Sequence, residues 1–524
     1  MTSSRLTRRP RVTVHCRWLR LILVSSGAQL CIASVSHAAT KTPTITDRGL
    51  TSAVESSLRY DKGVSPVGVD VDTSQGIVTL SGTVHDLLAK ERALRIAESI
   101  RGVLGVIDRT VVTPVSRSDE DIRKTILWSL LEDPATKAYQ IGVSVKGAVA
   151  TLTGTVGSYA ERQLAERLAK GVKGAKDVRN DITISYFQKR TDAEIASDVK
   201  ARFQWDIWLN GDALTAAVKD GKVTVSGTIG SAIGKERAAD DAWVSGVMSV
   251  DDTALKVEPR TGHDARHQLK YVVKSDADIK LAIQAAFRLD PRVAAFAPDV
   301  TVEGGGVILG GSIGNLKAKA AAEQDAHNIV GVWRVDNLLT VRSKGSFVDS
   351  DLEKQLKTAV AWDPVLDRST IDIAVINRVA YLSGEVDSRF ESVEAEDVAS
   401  RIDGVLLVRN HLKVEPDDVF IYDDLPFFSY FDWPYYHRSS SDMYQAREPE
   451  PYLSDARIKK DIEDAFFWSP FVDRGAITVA VHGGVATLTG TVGNWIGWRE
   501  ADKDARKNAG DVLNRLTIKP GAWW

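Results

Sequence analysis

The sequence predicts an α+β fold built from six tandem αββαβ units, each with two helices packed on a three-stranded sheet, following a signal peptide. One strand-like segment carries most of this reading, because it occurs six times. It is GIVTLSGTV from Gly76, GAVATLTGTV from Gly147, GKVTVSGTI from Gly221, GVILGGSI from Gly306, RVAYLSGEV from Arg378 and GVATLTGTV from Gly484. Each copy also lies between two stretches with the apolar spacing of helices, and a basic segment followed by an apolar one precedes them all.

The leading segment holds Arg5, Arg8, Arg9, Arg11, Arg17 and Arg20 with no acidic residue, then an apolar run from Leu21 to Val35 and a small-x-small step at Ser36-His37-Ala38. That order predicts a cleavable signal peptide over 1–38 and export to the periplasm. Cys16 and Cys31 both lie in it, so the exported chain carries no disulfide. Leu30 stands where a lipoprotein signal wants a small residue, so no lipid anchor is expected. Losing six arginines takes the formal net charge from −3 to about −9. An acidic chain lacks the basic face that nucleic acid demands. No run approaches the ~18 apolar residues that span a bilayer.

Each unit opens on a helix. Ser454 precedes Ile458, Ile462, Ala465 and Phe466, and Ser275 precedes Ile279, Ile283, Ala286 and Phe287. Ser118/Asp121, Thr191/Glu194 and Ser275/Asp278 read as capping boxes. Asp133-Pro134, Asp290-Pro291, Asp363-Pro364 and Ser469-Pro470 stop the helices, since proline has no N–H to continue them. A short strand follows, such as Ile371-Ile373-Val375, and a tight turn reverses the chain into the repeated strand. There alternate residues such as Val78, Leu80, Gly82 and Val84 share the buried face. The glycine recurs as Gly82, Gly154, Gly227, Gly311, Gly384 and Gly490, roughly 70 to 75 residues apart except where insertions lengthen two intervals. A glycine in a buried row signals a neighbour too close for a Cβ, and the following helix is the expected neighbour. That second helix buries Ala93, Ala97 and Ile100 in the first copy and Leu164 and Leu168 in the second, leaving Glu91-Arg92 and Glu161-Arg162 to solvent. A Gly-Val step and a last strand close the unit, with the other sheet face partly open.

This repeated order, with its V-x-L-x-G-x-V strand and its G-V-x-x-V-x-N-x-L close (Gly171 to Ile182), resembles the BON domain family. The resemblance covers 45–115, 117–186, 190–258, 275–343, 349–415 and 454–520, with a linker at 259–274 and an aromatic-rich insertion at 416–453. It implies a non-enzymatic exported envelope protein that binds membrane phospholipid surfaces or envelope partner proteins, in osmotic or envelope stress. A periplasmic chaperone-like holder of exported clients is the alternative. No cofactor, metal or small-molecule substrate is expected.

Three stretches invite other readings. Gly304 to Gly311 imitates a phosphate loop, but the repeat register makes it a hairpin turn and strand. His263 and His267 stand four apart in HDARH without further ligands, which suits a solvated linker better than a metal site. The insertion carries Phe427, Phe428, Tyr430, Phe431, Trp433, Tyr435 and Tyr436. These rings suit a membrane interface or a protein contact, or else cover an open sheet face; Asp417, Asp418, Asp423 and Asp424 would repel anionic lipid. Trp205, Trp208, Trp495 and Trp498 read as anchors of small cores.

Overall fold

The computed structural model describes residues 45–518 apart from 62, 65–67, 134, 137–138, 210–212, 260–273, 344, 367–369, 415–453 and 510. It shows the predicted unit six times. The first helices are Asp47–Tyr60, Asp119–Glu132, Asp192–Trp205, Asp276–Leu289, Asp349–Trp362 and Asp455–Trp468. The second helices are Leu87–Glu98, Tyr159–Lys170, Ala232–Asp241, Leu316–His327, Arg389–Arg401 and Trp495–Arg506. The expected proline stops hold, with Asp133, Asp290, Asp363 and Ser469 as the residues that cap the helix ends. Thr191 and Glu194 form a reciprocal capping box, while the Ser118 and Ser275 hydroxyls donate to their acidic partners' carboxylates and accept from their N–H groups.

In every unit the repeated strand is the middle of the sheet, antiparallel to the strand before it and parallel to the one after the second helix. In the second unit, Val149–Val156 pairs with Gly142–Lys146 on one side and Asp177–Ile184 on the other. The fourth unit departs. Its middle strand breaks into Gly306–Gly310 and Ser312–Ile313, which pair separately with Arg334–Asn337 and Thr340–Val341. Both helices cover one sheet face, where Val78, Leu80, Ala150 and Leu152 are fully buried. Burying a leucine such as Leu80 contributes about 1.5–3 kcal/mol. On the other face stand hydroxyls, as in Thr151, Thr153 and Thr155, exposed or half-exposed.

The recurring glycine has a different cause from the one expected. Gly82, Gly154, Gly227, Gly384 and Gly490 have φ between +106° and +133°, and a Cβ there would overlap a backbone carbonyl at the start of the first strand or just ahead of it, at Gly68, Gln140, Ala213, Thr370 and Ala476. The neighbour is therefore the adjacent strand's backbone, not the following helix. Gly311 keeps the positive φ, at +100°, but its nearest neighbour is an Asp299 oxygen at 3.6 Å. The split strand has relaxed that approach.

One interaction repeats in all six units. The first helix of every unit begins with an aspartate whose two oxygens accept the two N–H groups of the hairpin turn 28 and 29 residues later. Asp47 holds Gln75 and Gly76, Asp119 holds Gly147 and Ala148, and Asp192 holds Asp220 and Gly221. Asp276, Asp349 and Asp455 do the same for Gly304/Gly305, Asn377/Arg378 and Gly483/Gly484, all at 2.7–3.0 Å. The fifth unit lacks a turn glycine, yet its clamp is intact. These hydrogen bonds hold the Asp119 and Asp455 carboxyls below the usual carboxylate range. A second repeated tie joins the last strand to the second helix: the Asn180, Asn337 and Asn410 amides donate to the carbonyls of Arg162, Lys319 and Ser392 at 2.8–3.0 Å.

Candidate functional site

Each unit has its own apolar cluster, and residues from neighbouring units extend several of them. Val84, Leu87 and Ala89 of the first unit sit in the second unit's core, and Trp128 of the second unit packs on the fifth unit's core. The described residues accordingly form one compact body. The second helices are buried well beyond their apolar stripes. Lys317, Glu323, Gln324, Asp325 and His327 of one helix are at most 6% exposed. This corrects the solvent side expected for Glu91-Arg92. Arg92 is 5% exposed and paired with Asp61, and Glu91 accepts from Lys170 of the second unit.

Three joints share one design. The N–H of Arg101, Lys173 and Val330, each just past a second helix, donates to the carbonyl of a tryptophan that ends another unit's first helix, respectively Trp468, Trp362 and Trp205, at 2.7–3.1 Å. In two of them the residue before the donor unit's first N-cap meets that indole. Arg117 lies over Trp362 at 5.0 Å and Lys274 over Trp205 at 4.5 Å, while Ile45 packs with Trp468 in the first unit's cluster. A cation over an indole face contributes about 0.5–1 kcal/mol when exposed and more when desolvated. These joints link units one and six, two and five, and four and three. A second kind stacks rings, Tyr159 of one second helix on Trp243 just past another, and Trp495 on His327 between two second helices, both at 4.3 Å. Trp205, Trp208 and Trp495 therefore anchor joints in place of the small cores expected; Trp495 joins Ile207, Val330 and Ile496 in a cluster drawn from three units. Trp498 does pack on its own unit's core.

Carboxyl groups at these contacts are displaced upward, chiefly by burial. Glu98 is pushed to about 8, with Glu236 of the third unit adding to the effect, and Glu323 to about 7. Asp240, which accepts from the Tyr159 hydroxyl across the joint, is pushed to about 6.

The aromatic residues Phe427, Phe428, Tyr430, Phe431, Trp433, Tyr435 and Tyr436 lie outside the described residues, as do His263, His267 and the leading segment. Gly304 and Gly305 form a hairpin turn and Gly306–Gly310 a strand, as the register predicts. Among the described residues no group of three or more His, Cys, Asp or Glu side chains is placed to hold a metal ion, and no helix is long and apolar enough to cross a membrane.

Six units of this topology, each with the glycine strand and four of them with an Asn-bearing close (Asn180, Asn337, Asn410 and Asn514), define a repeat of one small α+β domain. The chain belongs to the BON domain family, which it matches over residues 46–114, 118–186, 191–259, 275–343, 348–416 and 454–520. It is 31% identical over 143 residues to osmotically-inducible protein Y of Escherichia coli K12, a stretch covering 26% of this chain and 71% of that protein. Two solved structures of CdsD, a structural protein of the type III secretion system of Chlamydia trachomatis, align with 40% and 41% of this chain and 93% and 100% of theirs. They do so at 14% and 13% identity with a TM-score of 0.12, a likeness too slight to support any inference.

Proposed function

We propose that this chain is a non-enzymatic protein of the bacterial envelope, exported to the periplasm, that acts under osmotic or envelope stress by binding membrane phospholipid surfaces or envelope proteins. The observation that carries the proposal is the match of six BON domains between residues 46 and 520, together with the likeness to a relative named for osmotic induction. The buried charges fit a structural role, since they pair with caps and neighbouring helices. The first unit offers an exposed contact strip on its last strand, where Ile107 and Val111 are 44% and 50% exposed on either side of Arg109.

Because the second helices are buried in joints, the units present their sheets together and not as independent beads. Such preorganisation lowers the entropy cost of each further contact. The test is sedimentation of the chain lacking residues 1–38 with phosphatidylglycerol–phosphatidylethanolamine vesicles at low salt. Pelleting that falls in an Ile107→Glu/Val111→Glu variant supports the phospholipid reading. A chain that stays in the supernatant with every composition, yet crosslinks to envelope proteins through that strip, leaves the protein-partner reading alone.

A further inference from the structure

A cavity of about 120 Å³ lies where the first, second and fifth units meet, with Arg292 of the fourth unit also in its wall. Its size is close to that of the ~150 Å³ protein cavity that admits benzene. Its lining divides into two kinds of surface. One is apolar and partly aromatic, with Trp128, Trp362 and Phe390 among aliphatic side chains. The other is cationic, with Arg92, Arg95, Arg167, Arg292 and Arg401.

The wall also holds Glu91, Glu132, Asp133 and Asp363, one fewer than the arginines. Three of these carboxylates have tasks in the fold. Glu91 accepts from Lys170, while Asp133 and Asp363 accept backbone N–H groups past their helix ends. Arg92 stands differently. Its Nε is committed to Asp61 and its guanidinium carbon lies 4.3 Å from the Phe390 ring centroid, but its buried Nη2 meets no hydrogen-bond acceptor among the described residues. A buried guanidinium N–H without an acceptor is costly, and an anion is the group that would satisfy it.

We propose that this cavity binds one small monoanion with an apolar body, of the size and kind of an aromatic carboxylate, with its charge on Arg92 and its ring against the aromatic wall. Such a ligand fills the junction of three units at once, so its binding stabilises their contacts with one another.

The experiment titrates the intact chain with benzoate and follows tryptophan fluorescence and the thermal midpoint. A saturable signal and a rising midpoint are expected, with acetate and benzyl alcohol, each carrying half of the chemistry, at least about tenfold weaker. Arg92→Lys keeps a charge beside Asp61 but loses the second N–H arm, and weakens benzoate at least about tenfold. Ala359→Leu fills the cavity from the fifth unit's first helix and abolishes binding, which decides the matter if the Arg92 variant does not fold. No saturable signal up to about 10 mM benzoate overturns the proposal. So does binding that persists unchanged in the folded variants.

Discussion

The first and third units close a charge that the fifth leaves open, although all three build it at the same place. In each, the first helix ends on a buried aspartate whose Oδ1 accepts an N–H two residues on, at 2.7–2.9 Å: Asp61 with Gly63, Asp206 with Trp208, Asp363 with Val365. Thirty-one residues past the aspartate, the second helix answers Asp61 with Arg92 and Asp206 with Arg237, both at most 5% exposed. In the fifth unit that position is Glu394, fully buried, so one carboxyl faces another. Burial first and Asp363 second raise Glu394 well above the ordinary glutamate range, and burial pushes Asp363 to about 6. Compensation comes from farther off. Arg401 donates to Glu394 at 3.3 Å and also to Asp397, which Lys317 of the fourth unit reaches as well. The same scaffold thus yields two units with an internal ion pair and one whose facing carboxyls depend on a neighbour's cation, while burial lifts Asp206 as well as Asp363 to about 6.

The comparison breaks most visibly at the internal pairs. Arg237→Ala strands Asp206 in the interior, and losing one partner of a buried pair costs about 3–5 kcal/mol. The denaturant midpoint should fall accordingly, and Asp206→Asn/Arg237→Gln should recover much of the loss; a single variant as stable as wild type would show that the pair contributes nothing. The next effect is pH. Folding raises both fifth-unit carboxyls, so the stability they contribute is complete below their unfolded values near 4 and fades as pH rises through about 6 for Asp363 and through the raised range of Glu394. For Asp363 the amount is on the order of 3 kcal/mol. Asp86 of the first unit adds to the upward shift of Asp363, while Arg401 and Lys317 resist that of Glu394. Between pH 5 and 8, amide protection over 389–401 should fall more than over 495–506, whose buried Glu500 is held below the usual glutamate range by neighbouring cations, and Glu394→Gln should flatten that slope. Equal losses in the two helices would erase the distinction.

The six-fold repeat, the helix starts and the proline stops were legible because each is a local pattern, such as Ser275 before an apolar stripe or Asp290 before Pro291. Arg92 departs from its sequence pattern for an equally physical reason. Its helical position marks the edge of the apolar stripe, and nothing near it in the chain shows that Asp61 and Phe390 converge there. The joint tryptophans were misassigned likewise, since Trp205 ends its helix as any small-core anchor would. The turn clamp was within reach. An aspartate directly after the N-cap recurs 28 residues ahead of every hairpin turn, but it reads as ordinary helix-dipole chemistry until the turn's two N–H groups are counted as needing acceptors.

The units also differ at the recurring glycine. Gly227→Ala puts a methyl onto the Ala213 carbonyl at a φ of +127°, whereas Gly311→Ala meets only the φ penalty, with 3.6 Å to its nearest neighbour. The first should therefore cost clearly more than about 1 kcal/mol and the second about that much. Equal costs would mean that backbone conformation, and not the carbonyl, fixes the residue.

The smallest effect belongs to the clamp, and it tests what holds a turn that glycine does not. In the sixth unit Gly483 and Gly484 adopt positive φ without strain, so Asp455→Asn removes one acceptor oxygen from a turn that still forms unaided. In the fifth unit Asn377 and Arg378 sit at φ of +53° and +64°, and Asp349 supplies the compensation through bonds of 2.7 and 3.0 Å. Asp349→Asn should therefore lower the thermal midpoint more than Asp455→Asn, and Asn377→Gly should cancel most of that difference. If the two aspartate variants fall together and the glycine restores nothing, the strained turn is held by its strands, and the clamp merely follows.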